Sequence, residues 1–347
     1  VSYLEVHRTK SRYYKLLFDQ EKAKFFDLPE YKKFFEKNKN WLVPYAAFAF
    51  LRDKMKTADF RQWGKFAKYN RKEIEKISQP DAKEWDDISV HYFLQFHLDK
   101  QLREVSDYAR ANGVVLKGDI PIGISPNSME AWAEPHLFNL NSQAGAPPDD
   151  FAVKGQNWGF PTYNWEQMAK DGFAWWRKRL QKMAEYFDAY RIDHILGFFR
   201  IWEIPVDAVE GLLGAFYPAL PLTASEIQSW GIHFDYERLV KPYIRYHLLQ
   251  PIFGEHTDEV IKEFLDDTGN GTYKMKAEFS TQKKVNQFFL KDIEEEQLTD
   301  KNRKIRDGLF DLIANVLFVQ TDYDQYHPRI TLQFTSSYSE LDDYTKE

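Results

Sequence analysis

One pattern occurs twice in this chain and limits its fold more than any other feature. Leu94, Leu98, Leu102, Val105 and Ala109 recur at steps of four, four, three and four, the spacing of one helix face. Asn112-Gly113 closes that helix, and Val114–Ile120 reads as a strand presenting Asp119 near its carboxyl end. Downstream, Phe173, Trp176, Leu180, Met183 and Phe187 step by three, four, three and four. The short strand Ala189–Ile192 follows at once and delivers Asp193, with His194 beside it. A β/α barrel carries its catalytic groups at that end of its strands. A doubly wound open sheet gives the same local signal, so the spacing leaves both architectures open.

Residues two apart on a strand point to the same side, which puts Arg191 and Asp193 on one face. A guanidinium close by lowers a carboxyl pKa by about 1 to 3 units. That suits a carboxylate nucleophile, which must be charged when it attacks. The same three residues serve equally well as a structural Arg–Asp pair with a flanking histidine.

The remaining chain is read around these units. Residues 1–40 are charged and aromatic, with Phe25, Phe26, Phe34 and Phe35 at rough helical spacing interrupted by Pro29, and predict two short helices. A second helical pair is expected over Pro44–Lys56 and Arg61–Ile77, followed by a polar loop over Ser78–Asp87. Pro121–Trp165 is rich in proline and glycine and has little periodic order. It also carries Trp132, Phe138, Phe151, Trp158 and Phe160, which a solvated connection would avoid, and is expected to cover an active-site mouth. Residues 206–329 read mainly as helices with charged surfaces, and Asn270-Gly271 marks a tight turn or small hairpin. Ile305–Val319 is the clearest amphipathic helix of that block, and Arg329–Phe334 is where the chain would return to a barrel.

Composition excludes several function classes. A net charge of −6 lacks the basic surface that nucleic-acid binding needs. Without cysteine the chain makes neither a disulfide framework nor a thiolate zinc site. The longest apolar run, Trp41–Leu51, is too short to span a bilayer, and no secretory leader is evident, so a cytoplasmic location is the default. Asn270-Gly271-Thr272 is then a sequon without consequence. His91 and His97 lie on a helix and its approach as surface or packing residues, and neither metal nor cofactor is expected. Aromatic residues make up 17% of the chain, which fits sugar stacking and a large aromatic core alike.

Four ordered segments together resemble the amylomaltases, the 4-α-glucanotransferases of glycoside hydrolase family 77. They are GDIPIGISPNSMEAW (118–132), AGAPPDDF (144–151), GQNWGFPTYNW (155–165) and RIDHILGFFRIWEIP (191–205). The block after Pro205 is similar to the insertion of the plant cytosolic disproportionating enzyme and its bacterial relatives. The resemblance implies a (β/α)8 TIM-barrel glycosidase fold, incomplete in this chain. On that basis residues 1–205 belong to the barrel, with an active-site loop at 121–165. Residues 206–329 form a helical insertion, and 330–347 return to the barrel.

It further implies a retaining double displacement on α-1,4-glucans, maltooligosaccharides or glycogen-like acceptors. Asp193 would be the nucleophile, with Arg191 orienting it and keeping it charged. Asp119 would order the sugar and the Arg191 network, and His194 would donate to sugar hydroxyls. Gln156, Trp158 and Phe151 would belong to the loop over the donor and acceptor sites; Asp150 stands where bacterial amylomaltases carry the first of an aromatic pair. A retaining enzyme needs a second carboxyl group as acid/base. The family's acid/base motif and its later aspartate do not occur before Glu347; Gly254-Glu255-His256 is the nearest stand-in. The chain begins at Val1, and Ser339 would cap a helix that has barely begun at Glu347. It therefore reads as an internal piece of a longer enzyme, inactive or nearly so alone. A hydrolase of the α-amylase type and a non-catalytic carbohydrate-binding piece are the alternatives.

Overall fold

The computed structural model describes residues 2–347, the Leu4 side chain aside. The chain divides into two compact units. One comprises the residues through Phe138 together with Tyr163–Asp193; the other comprises Asn139–Thr162 and His194–Glu347.

The first unit opens with long helices. α1 (Tyr3–Phe25) is capped by the Ser2 hydroxyl, which accepts from the Glu5 N–H. α2 (Pro29–Met55) starts on its proline, where the missing N–H would have been unpaired anyway. The break at Pro29 is thus real, but the one expected at Pro44 is not: α2 runs through it. A proline inside a helix costs about 3 kcal/mol. Leu42, Ala46, Ala47 and Leu51 are fully buried around it. A large apolar side chain gains about 1.5–3 kcal/mol on burial, so packing outweighs the penalty. The helix expected over Arg61–Ile77 forms only as α3 (Arg71–Ile77), preceded by two 3-10 turns. Gly64, at φ 58°, opens the second of those turns, and Asn70 caps α3.

In α4 (Trp85–Ala111) the leucine stripe is not the buried face. Ile88, Tyr92, Phe93 and Phe96 are buried, whereas Leu98 and Val105 are more than half exposed. Aromatic packing decides this. The Phe25 ring centroid lies 4.3 Å from Tyr31, 5.0 Å from Phe93 and 5.6 Å from Phe96. Each ring buries more area than a leucine, and edge-to-face pairs add to that. Much of the aromatic excess is therefore core.

β1 is shorter than expected, Lys117–Ile120, because Val114 and Val115 are exposed connection. The stretch expected to be irregular holds α5 (Met129–Ala133), β2 (Phe138–Asn139), β3 (Ser142–Ala146), β4 (Gln156–Asn157) and β5 (Thr162–Tyr163). Then come α6 (Trp165–Ala169), α7 (Ala174–Ala184), β6 (Ala189–Ile192), β7 (Ile201–Pro205) and β8 (Ala215–Tyr217). In the first unit β1 and β6 pair in parallel, with Asp119 opposite Arg191. In the second, β4, β3, β7 and β8 form an antiparallel sheet in that order. The small residues of Ser142–Ala146 permit this: a Cβ on Gly145 would lie 2.1 Å from the Gln156 carbonyl oxygen.

From Ala224 the second unit is mainly helical. It contains α8 (Ala224–Ser229), α9 (Tyr236–Leu239), β9 (Ile244–Arg245), α10 (Tyr246–Phe253) and α11 (Thr257–Phe264). Asn270 and Gly271, both at positive φ, join β10 (Leu265–Gly269) to β11 (Thr272–Met275), as the dipeptide predicts. α12 (Gln282–Phe289) and α13 (Asp300–Ile313) complete a core with Leu249, Phe253, Val260 and Leu309. The amphipathic helix therefore stops at Ile313, and Phe318–Asp322 becomes β12, paired with β13 (Gln325–Pro328). After β13 the chain makes a 3-10 turn at Leu332–Phe334. The buried Arg329 guanidinium ties it down by donating to the Ala314 and Ile330 carbonyls. α14 (Ser336–Ser339) is capped by Thr335 and α15 (Asp343–Lys346) by Asp342, not by Ser339. Among the described residues no helix is long and apolar enough to cross a membrane.

Candidate active site

The β1–β6 pair is positioned from behind by the helices that lead into it. The Asp188 carboxylate accepts from the Leu116 N–H at 3.1 Å and from Arg110 Nε at 2.7 Å, which sets the register where β6 begins. The Arg110 bond, then the Leu116 N–H, hold its carboxyl below the usual range. Gly118 leaves room for α7 and its end: a Cβ there would sit 2.5 Å from the Phe187 ring and 2.9 Å from the Met183 methyl. Asp99 on α4 accepts from Arg103 Nε at 2.8 Å and from Lys182 Nζ at 3.0 Å, and the Tyr186 hydroxyl donates to it as well. Burial alone would push the Asp99 carboxyl up; these donors override it and bring it down to about 2.

At the carboxyl ends of the strands, Arg191 does not pair with Asp193. Its guanidinium meets Asp119 across the strand pair at 2.9 Å. The parallel register explains the correction: opposite neighbours in a ladder lie closer than a residue that has passed into the following turn. The Asp193 carboxylate is exposed and makes no hydrogen bond or ion pair among the described residues. Asp119 and Arg191 are themselves more than half exposed. Such a pair adds about 0–1 kcal/mol of stability, so stability does not account for it.

The second unit carries His194, Gln156, Trp158 and Phe151. His194 has left-handed backbone, φ 50°, and its carbonyl accepts from the Gly197 N–H at 2.9 Å. Its ring stands edge-on to Trp158, centroids 4.9 Å apart at 81°. Trp158 stacks on Phe160 at 5.8 Å, and its indole N–H donates to Gln156 Oε1 at 3.1 Å. The structure thus brings three predicted residues together and adds Phe160. The Trp-Gly-Phe spacing was the available signal for that addition, because Gly159 at φ 72° makes the turn between the two rings. Phe151 stands apart at a loop tip, 99% exposed, held by an Asx turn in which Asp149 accepts from the Phe151 and Ala152 N–H groups.

Glu203 on β7 shows how the loop residues are fixed. Its carboxylate accepts from Thr162, which also bonds Asn139 and Ser142 at 3.0 Å each. Burial pushes the Glu203 carboxyl up, and these hydroxyl and amide bonds oppose it. Glu255, the stand-in acid/base, is a surface residue: its side chain is 87% exposed and lies 3.8 Å from His256. A cavity of about 820 Å³ in the second unit is lined by Tyr236, Arg245 and Tyr273 among others, and by none of the predicted site residues.

The comparisons agree with the segments that suggested the family. A family profile described as 4-alpha-glucanotransferase matches residues 1–317. The 4-alpha-glucanotransferase DPE2 of Oryza sativa subsp. japonica is 43% identical over 332 residues, 95% of this chain and 35% of the relative. A 4-alpha-glucanotransferase of Synechocystis is 36% identical over 197 residues, 55% of this chain and 39% of the relative. Among solved structures, the amylomaltase from Streptococcus agalactiae in complex with acarbose matches with a TM-score of 0.56 at 28% identity. That match covers 63% of this chain and 45% of the other. The chain spans about a third of the length of the curated relatives it matches. The architecture is α/β of the glycosidase type, with no complete barrel among the described residues. With its profile running through nearly the whole chain, this protein belongs to the 4-alpha-glucanotransferase family, glycoside hydrolase family 77.

Proposed function

We propose that the protein transfers α-1,4-glucan segments between maltooligosaccharides or glycogen-like acceptors by retaining double displacement, with Asp193 as nucleophile. The observation that carries this reading is an unpaired, exposed carboxylate immediately after a strand whose penultimate residue, Arg191, is held by Asp119 of the neighbouring parallel strand. β1 and β6 are, in this reading, adjacent strands of a (β/α)8 barrel to which residues 1–205 contribute. The helical stretch 206–329 is an insertion, a reading its own apolar core supports.

In the first step an Asp193 oxygen attacks the anomeric carbon and forms a glycosyl ester. The glycosidic bond breaks, and the departing 4-oxygen takes a proton from a general acid. In the second step the acceptor's 4-hydroxyl attacks the ester, gives up its proton and restores the carboxylate. Asp119 holds the Arg191 guanidinium at one end, leaving its other N–H groups for the nucleophile and sugar hydroxyls. His194 serves the hydroxyls at the cleavage point. Gln156, Trp158 and the exposed Phe151 contact the glucan, the aromatic faces stacking on sugar rings. Transfer rather than hydrolysis follows when an acceptor glucan replaces water at the ester.

The test is Asp193→Asn in the full-length protein, assayed on maltotriose. Disproportionation into longer and shorter glucans should collapse by about 10³-fold or more while the circular dichroism spectrum stays unchanged. Retained transfer rejects Asp193. Shortening without lengthening by the unaltered protein would make it a hydrolase.

A further inference from the structure

The first unit holds a cavity of about 650 Å³ that shares no lining residue with β1 or β6. It lies where α2 passes through Pro44, and Phe26, Tyr31, Phe35, Tyr69 and Trp85 form its walls. Its volume is that of an ordinary small-ligand site, about 300–1,000 Å³. We propose that this cavity is a second, non-catalytic binding site for a neutral α-glucan segment. The choice of an α-glucan, among neutral saccharides, rests on the function proposed above.

Three features separate it from a packing defect. First, polar groups line it. Ser78 is 8% exposed and lines the cavity, and its hydroxyl interacts with that of Tyr92. A buried hydroxyl with a single partner keeps hydrogen-bonding capacity that water or a ligand can fill. Pro44 has no N–H to offer the Asn40 carbonyl one turn earlier, and both residues line the cavity. Second, its rim charges are already neutralised. Arg71 pairs with Glu75 at 2.8 Å, and Lys39 with Glu36 at 2.6 Å. No surplus charge remains there to draw an anion, which favours a ligand of uncharged hydroxyls. Third, aromatic walls with amide side chains, Asn40 and Gln79, match the two faces of a pyranose. Its axial C–H groups lie against the negative π face, and its hydroxyls meet planar amides.

Such a site would hold a long glucan on the protein between transfer events, so its loss affects binding of long chains rather than the chemical step. The experiment titrates maltoheptaose into the full-length protein carrying Asp193→Asn, which blocks turnover, and then into the same protein with Tyr69→Ala and Asn40→Ala added. Neither added position is buried. The expected result is a class of sites weakened about tenfold or more by the pair. In the Asp193-containing background the same pair should leave kcat on maltotriose within about twofold. Val43→Trp, from a half-buried cavity-lining position on α2, should give the same loss by filling the space. Unchanged titration in either folded variant overturns the proposal, as does equal binding of cellohexaose or a cavity covered by another part of the full-length chain. A full-length protein that binds here but shows no transfer would refute the proposed catalysis and leave this site standing.

Discussion

The cluster around Asp99 offers a prediction whose size follows from the structure. Asp99 is on the helix that leads into β1; its partners Lys182 and Tyr186 are on the helix that leads into β6 and just past its end. Its side chain is only 14% exposed, and its carboxyl is brought from 3.8 to about 2. At about 1.4 kcal/mol per tenfold change in acidity, that is about 2 kcal/mol at neutral pH. Asp99→Asn keeps the shape and removes the charge. The expected loss is therefore about 2 kcal/mol in urea unfolding at pH 7, lowered somewhat by the hydrogen bonds the amide retains. The pH dependence carries the sign. A carboxyl acidified by folding stabilises fully above its unfolded pKa, and the benefit fades as pH falls from about 4 towards 2. The gap between the parent and Asp99→Asn should hold steady from pH 7 to pH 5 and shrink to about half at pH 3. A gap below about 0.5 kcal/mol at pH 7 would mean that the cluster is no stronger than an ordinary surface pair. So would a gap that does not change between pH 7 and pH 3.

Other perturbations test the site's placement. Asp119→Asn should alter thermal stability by under about 1 kcal/mol, since the Arg191 pair is exposed, yet lower kcat about 10–100-fold by releasing the guanidinium. A stability loss with unchanged turnover would assign the pair to the scaffold. Gly197→Ala puts a Cβ 2.6 Å from the His194 ring and 2.9 Å from Ile201. It should shift His194 off Trp158, visible as a change in tryptophan fluorescence together with weakened activity. Gly145→Ala meets the Gln156 backbone at 2.1 Å and should cost about 1–3 kcal/mol, raising KM for long acceptors as the β3–β4 pairing loosens. Equal melting temperatures would show that the strand pair yields without strain.

The sequence announced the parts of this protein that depend on short-range rules. Asn270-Gly271 demands two positive φ angles in a row, and those angles make the β10–β11 turn. Asn112-Gly113 closes α4, and strand signals ending in Asp119 and Asp193 sit where the strands form. The motifs around them were distinctive enough to name the family, because a site's chemistry tolerates few residue types. What failed were inferences that need a neighbour. Leu98 and Val105 keep helical spacing yet face outward, since which face of α4 is buried depends on Phe18, Phe25 and Phe34 arriving from elsewhere. Pro44 reads locally as a break, and only the burial of α2 overrides it.

The same division runs through the candidate site. The chain alone placed Arg191 and Asp193 two residues apart, which local geometry makes partners. The parallel pairing of β6 with β1, a contact over more than seventy residues, gave the arginine to Asp119 instead and left Asp193 free. Likewise the spacing of Trp158 and Phe160 hinted at a pair of rings, but the approach of His194 required the chain to fold back by way of β7. Local sequence sets torsion angles and residue chemistry. Only the folded backbone decides which oppositely charged or aromatic groups come within reach, because electrostatic and packing energies depend on distance in space and not on distance along the chain.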